Sequence, residues 1–280
     1  SKKMPGCVLY NWSESKNQYI FEYSEECDLS SYAVGDLLKV QVSDSETQNI
    51  YVLEVNGDEI IGILDRNLPG GTVAWISEED YYNATGRDFY DDLDNYPEQL
   101  NQNLHEFGPI TANRALEERT SSWNKVTNKY LPEALEMLKL TEYYKELELN
   151  GEIVNWEDNF LTDFYNFLEE KGVSECISGI ECRELITSAG GSKYLLPEWA
   201  TINLAGTGDY NAKFGYWTKT LCYNDTCTWV ISQDGYLEST FPDYYEYLSI
   251  RPVIHISQSN VIEKLEAPEY VNPDDVVRVS

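Results

Sequence analysis

Two histidines, six cysteines and 49 acidic residues are the groups in this 280-residue chain best suited to chemistry. His105 and His255 stand far apart in sequence, and no HExxH pattern or His/Cys metal spacing accompanies them. A structural place is expected for His255, which falls in an apolar run. No GxSxG elbow is present. The nearest approach to a phosphate loop is Gly206-Thr207-Gly208, which lacks a following Lys-Ser/Thr and reads as a turn. The runs Glu78-Glu79-Asp80 and Asp91-Asp92-Leu93-Asp94 lack the spacing and terminal Glu of a calcium loop, so they read as solvated surface. Hydrolysis of a glycosidic bond, which needs only two placed acids, is the enzymatic alternative that the residue types permit. The balance of residues argues against an enzyme, and no cofactor or metal is expected.

The cysteines fall into local pairs: Cys7 with Cys27, Cys176 with Cys182, and Cys222 with Cys227. Loops this short can be closed by disulfides, which would place the protein in an oxidising location. The formal charge of −29 is spread along the chain and opposes binding to nucleic acid or anionic lipid. No apolar run reaches the ~18 residues of a membrane span, and the opening SKKMPGC carries no signal-peptide pattern. Asn11-Trp12-Ser13, Asn83-Ala84-Thr85 and Asn224-Asp225-Thr226 match the glycosylation pattern.

These residues need positioning elements. Residues 37–42, 51–55 and 59–65 read as strands, with a hairpin turn at Asn56-Gly57. Thr72 to Ile76 reads as a further short strand. Residues 78–108, acidic and tyrosine-rich, read as loop. Helices are predicted over 111–123, from Leu131-Pro132 to Asn150-Gly151, over 156–170 ahead of Gly172, and over 182–189. Leu135, Leu138, Tyr143 and Leu147 form the expected buried stripe of the second, and Phe160, Leu161, Phe164, Tyr165 and Leu168 that of the third. The stretch 214–257 then reads as four or five short strands turning at Asp234-Gly235, followed by a tail of mixed acid, Pro and Val from Gln258. Strands, helices, then strands make an α+β arrangement, mainly antiparallel with helices to one side. The expectation is one domain over 1–280, with 131–172 as a helical insertion.

The late stretch carries Tyr, Asn, Asp, Ser and Thr in high density between fixed-looking ends, which points to a displayed binding surface. Its motifs are Tyr216-Trp217-Thr218, Trp229-Val230-Ile231 with Asp234-Gly235, and Ile250-Arg251-Pro252-Val253-Ile254. Together with Val34-Gly35-Asp36, the Tyr51 to Leu64 hairpin and Ile110 to Leu116, they resemble C-type-lectin-fold proteins. More narrowly, they resemble the variable proteins of diversity-generating retroelements and a related group of microbial and viral proteins. That resemblance implies a C-type-lectin-like fold whose late loops are randomised by adenine-directed mutagenesis, with Trp217 and Trp229 held inside. The family's usual Gly-Phe-Arg or Gly-Val-Arg is Ser249-Ile250-Arg251 here, and the Glu-Pro-Asn of calcium-dependent sugar binders is absent.

The implied contact residues of the first loop are Thr218, Thr220, Tyr223, Asn224, Asp225 and Thr228. Those of the second are Gln233, Asp234, Tyr236, Asp243, Tyr244, Tyr245 and Tyr247. Tyrosine offers large contact area at small entropic cost, while Asn, Asp and Ser adapt their hydrogen bonds. The expected partner is a protein or glycan on a cell or virus surface, with the protein itself extracellular, at a cell surface or on a virion. A fixed-sequence structural or pilin-like surface domain is the alternative.

Overall fold

The computed structural model describes residues 7–13, 18–24, 32–152, 156–173, 175–176, 182–201, 215–222, 226–244 and 248–266. The chain divides into two compact units, 1–33 and 34–280. In the first, β1 (Cys7–Ser13) pairs antiparallel with β2 (Gln18–Ser24).

The second unit is α+β. Its larger sheet uses β3 (Leu37–Gln41), β4 (Thr47–Asn56), β5 (Glu59–Leu64) and β6 (Val126–Tyr130). It also uses β11 (Val253–Ser257) and β12 (Val261–Leu265), in the order β12-β3-β4-β5-β11-β6, antiparallel throughout. A central strand is covered on both faces, which explains why Val253, Ile254 and Ile256 are all buried. The β4–β5 turn falls at Gly57-Asp58, one residue later than expected, because Asn56 pairs with Glu59. A bulge between Val52 and Glu54 accompanies that register.

The smaller sheet uses β7 (Gly215–Leu221), β8 (Thr228–Ile231), β9 (Leu237–Thr240) and β10 (Leu248–Ser249), in the order β10-β7-β8-β9. The β10–β7 pair is parallel and the others are antiparallel.

Residues 78–108 are helical, which corrects the loop expectation. They form α1 (Glu78–Thr85), α2 (Phe89–Asn95) and α3 (Pro97–Phe107). Ser77 and Asp88 cap the first two by accepting from the N–H groups of Asp80 and Asp91, and Pro97 opens the third. The acids lie in first turns, where they complement the helix dipole. The aromatics turn inward: Tyr81 and Phe89 are buried and meet edge to face. The Tyr81 hydroxyl donates to buried Asp92, which also accepts from Arg87. Arg87 holds the Asp92 carboxyl below its usual range, against the opposing effect of burial.

Thr72 to Ile76 is not a strand. Its N–H groups at Val73, Trp75 and Ile76 donate instead to the carbonyls of Leu248 and Pro242. After α4 (Ile110–Arg119), the expected 131–150 helix is two, α5 (Ala134–Leu138) and α6 (Glu142–Asn150), with Thr141 capping the second. Then follow α7 (Trp156–Lys171) and α8 (Cys182–Ser188). Phe160, Phe164 and Leu168 of α7 are buried, whereas Tyr165 of the expected stripe is 46% exposed.

The inner face of the small sheet packs on α7. Phe160 lies 6.2 Å, ring to ring, from fully buried Trp229 of β8. Burying each such side chain stabilises the fold by roughly 1.5–3 kcal/mol.

Arg251 ties the two sheets together. It is fully buried, and its guanidinium donates to the carbonyls of Leu64 (2.7 Å), Trp199 (2.7 Å) and Thr201. It lies 5.3 Å from the centre of the Tyr216 ring. The Tyr216 hydroxyl in turn donates to the Ala200 carbonyl at 2.6 Å.

Candidate functional site

Strand alternation creates the site. Trp229 and Ile231 of β8 face the helices, so Val230 faces the other way. Val230 pairs with Glu238 of β9, and Thr240 lies two residues further on that same face. Val230, Glu238, Thr240, the turn residues Ser232 to Asp234, and Tyr236 and Tyr244 line a cavity of about 420 Å³.

The β8–β9 turn is braced from within and from behind. The Ser232 hydroxyl accepts from the N–H groups of Asp234 and Tyr236 at 3.3 and 3.4 Å. Ser232 N–H donates to the Tyr236 carbonyl, and Gly235 N–H to that of Ser232. Gly235 has φ +84°, and a Cβ there would run into Thr201 and Arg183. Arg183 donates to the carbonyls of Asp234 (3.3 Å) and Leu196 (3.1 Å) from the side of α8. The turn is therefore a fixed edge of the cavity.

A second exposed segment adjoins it. Phe241 is 53% and Tyr244 38% exposed. Pro242 between them anchors the segment by accepting from Trp75 and Ile76. Asp243 accepts from the Tyr90 hydroxyl of α2 at 2.6 Å, and that bond pushes the Tyr90 phenol up to about 12.

Two carboxylates, Glu238 and Asp234, line the cavity. Crowding by neighbouring atoms raises the Glu238 carboxyl, and the nearby charge of Asp234 adds to the rise. The side chain nevertheless lies open to water, which screens the effect. Burial, then the Glu238 charge, raises the phenols of Tyr236 and Tyr165.

The expected contact residues divide. Gln233 and Tyr244 are exposed, and Asp234 and Asp243 are half-buried at the same rim. Tyr236 is buried but lines the cavity. Thr218 and Thr228 are corrected: both are fully buried, and their hydroxyls donate to the carbonyls of Trp229 (2.7 Å) and Thr220 (2.9 Å). They lock β7 to β8 and contribute nothing to a surface. Thr220, half-buried, accepts from the Ala134 N–H and ties β7 to α5. Tyr223, Asn224, Asp225, Tyr245 and Tyr247 lie outside the described residues. Sequence reasoning passed over Glu238, Thr240, Phe241 and Tyr90. The period-two facing of β9 was the available signal for the first two.

Of the cysteine pairs, Cys222 and Cys227 are bonded as a disulfide, and Cys222 N–H also donates to the Cys227 carbonyl. Cys176 and Cys182 are buried free thiols. Burial and a hydrogen bond with Cys176 push the Cys182 thiol up to about 12. Cys27 lies outside the described residues. His255 on β11 is held by Glu59, 3.2 Å from Nδ1, and by the Tyr130 ring. Among the described residues no group of three or more His, Cys, Asp or Glu side chains could hold a metal ion, and no helix is long and apolar enough to cross a membrane.

The chain matches no known family, no curated protein and no solved structure.

Proposed function

We propose that this protein is a non-enzymatic binding protein that recognises a surface partner through the rim formed by Gln233–Asp234 and Phe241–Tyr244. The observation that carries this reading is the division of labour along one stretch of chain. Strand residues such as Thr218 and Thr228 direct their polar groups inward onto the main chain. The intervening turns direct Gln233, Phe241 and Tyr244 outward beside a cavity. Rigid aromatic contacts surrounded by adaptable polar groups suit non-covalent recognition. A C-type-lectin-like scaffold with a diversified late segment, as in retroelement variable proteins, accounts for the polar-aromatic density around that rim.

The test is deep sequencing of the gene in its source population. Substitutions are expected to concentrate at Gln233, Asp234, Asp243 and Tyr244, at codons reachable by adenine mutagenesis, with Thr218, Thr228 and Arg251 constant. Uniform constancy from Tyr216 to Ser249 would remove diversification and favour a fixed-sequence surface domain.

A further inference from the structure

We infer that Cys176 and Cys182 form a redox site that exchanges with a small disulfide entering through the cavity, and that the bond they form is reduced more readily than Cys222–Cys227. This inference stands apart from the binding function proposed above.

Both cysteines are buried free thiols, and they face each other. The Cys182 thiol donates to the Cys176 carbonyl at 2.6 Å, and the Cys176 thiol donates to the Cys182 carbonyl at 3.9 Å. A further hydrogen bond joins the two side chains. The sulfurs are thus neighbours, as disulfide formation requires.

The contrast with Cys222–Cys227 is one of surroundings. The two pairs lie six and five residues apart in sequence, so the chain entropy of closing either loop is nearly the same. Joining Cys176 to Cys182, however, removes both thiol hydrogens and with them the bonds to the two carbonyls. Those bonds stabilise the reduced pair, and a stabilised dithiol makes a more oxidising disulfide. Cys222–Cys227 carries a main-chain bond, from the Cys222 N–H to the Cys227 carbonyl, that needs no thiol hydrogen.

Access sets the order of steps. Cys176 lines the cavity, whereas Cys182 stands behind it and is 1% exposed. With the Cys182 thiol pushed up to about 12, its thiolate is scarce. The Cys176 thiolate attacks one sulfur of the small disulfide. That S–S bond breaks, and the departing thiolate takes up a proton. Cys182 then gives its proton to solvent and attacks the Cys176 sulfur, and the second small thiolate leaves and is protonated. Two protein thiols are oxidised, and one small disulfide is reduced to two thiols. The change reaches the cavity wall through Tyr236, which lines the cavity and whose hydroxyl donates to the Cys182 sulfur.

The experiment equilibrates the full chain in glutathione buffers of graded oxidised-to-reduced ratio. Free thiols are then alkylated and located by peptide mass mapping, with the Tyr236 ring followed by NMR. Cys176 and Cys182 should oxidise together, at a ratio at least about tenfold more oxidising than that which closes Cys222–Cys227. The Tyr236 ring signal should shift with them. Cys182→Ser should trap glutathione on Cys176, and Cys176→Ser should take up at least about tenfold less on Cys182.

The titration of the unaltered chain decides the inference even if a serine variant folds poorly. Closure of both pairs at the same ratio, thiols that stay reduced throughout, or bonding of either cysteine outside its pair would overturn it. Glutathione accumulating on Cys182 would overturn the order of attack. An unmoved Tyr236 signal would overturn the link to the cavity.

Discussion

Arg251 and Glu238 occupy opposite situations in the same half of the fold. Arg251 is a fully buried cation whose donors end on three main-chain carbonyls from two separate segments. Glu238 is a carboxylate on an edge strand whose surroundings raise it and supply no described cation. The first region is electrically complete within the chain. The second sets two carboxylates, Glu238 and Asp234, along one cavity wall.

The sharpest way to break that contrast is Arg251→Met. It strands the carbonyls of Leu64, Trp199 and Thr201 in the interior, and a loss on the order of 3–4 kcal/mol is expected in urea denaturation. Arg251→Lys should recover little, because an ammonium cannot reproduce the planar fork. A loss under about 1 kcal/mol would show that water reaches those carbonyls and that the region is not closed.

A middling effect belongs to the Cys222–Cys227 disulfide, which ties β7 to the start of β8. Closing so short a loop contributes about 2 kcal/mol by chain entropy. Reduction should lower the urea midpoint by the corresponding amount and leave the signal of Trp229 intact. An unchanged midpoint would mean that β7–β8 pairing alone holds the strand ends.

The smallest effect is expected at Glu238. Its folded-state carboxyl is raised, first by crowding and then by Asp234, with the Tyr236 and Tyr165 phenols also facing it. The folded protein therefore holds that proton to higher pH than the unfolded chain does. The resulting stability is full below the unfolded carboxylate range and is lost as pH rises through the folded value. At neutral pH, Glu238→Gln should be neutral or slightly stabilising, within about 0.5 kcal/mol. Clear destabilisation would place Glu238 among the structural groups with Arg251.

Much of the scaffold was legible because its signals were local. Apolar strands at 37–64, the α7 stripe and the glycine turn at 235 all carry their geometry in a few neighbouring residues. Helices α1 to α3 were misread because tyrosines and acids look like loop in isolation. Capping by Ser77 and Asp88, and burial of Tyr81 and Phe89, reverse that reading. Strands β6 and β12 lack alternating apolar residues. They exist because their backbones pair with β11 and β3 at the sheet's two edges. At the site, Gln233 and Asp234 were visible as turn residues. Thr218 and Thr228 were misassigned because a threonine on a strand does not announce which face it takes. Glu238 had no signature beyond its spacing from Thr240.

The place of β11 in the larger sheet bears on how the protein is made. It lies between β5 and β6, yet it is synthesised long after both. Until residues 253–257 leave the ribosome, β5 presents an unpaired edge and Arg251 cannot join the two sheets. Between β5 and β11 lie almost 190 residues, a long-range pairing of the kind that slows folding and leaves an edge open to wrong strand pairing. The sheet is completed by its last two strands, β11 between β5 and β6 and then β12 on the β3 edge.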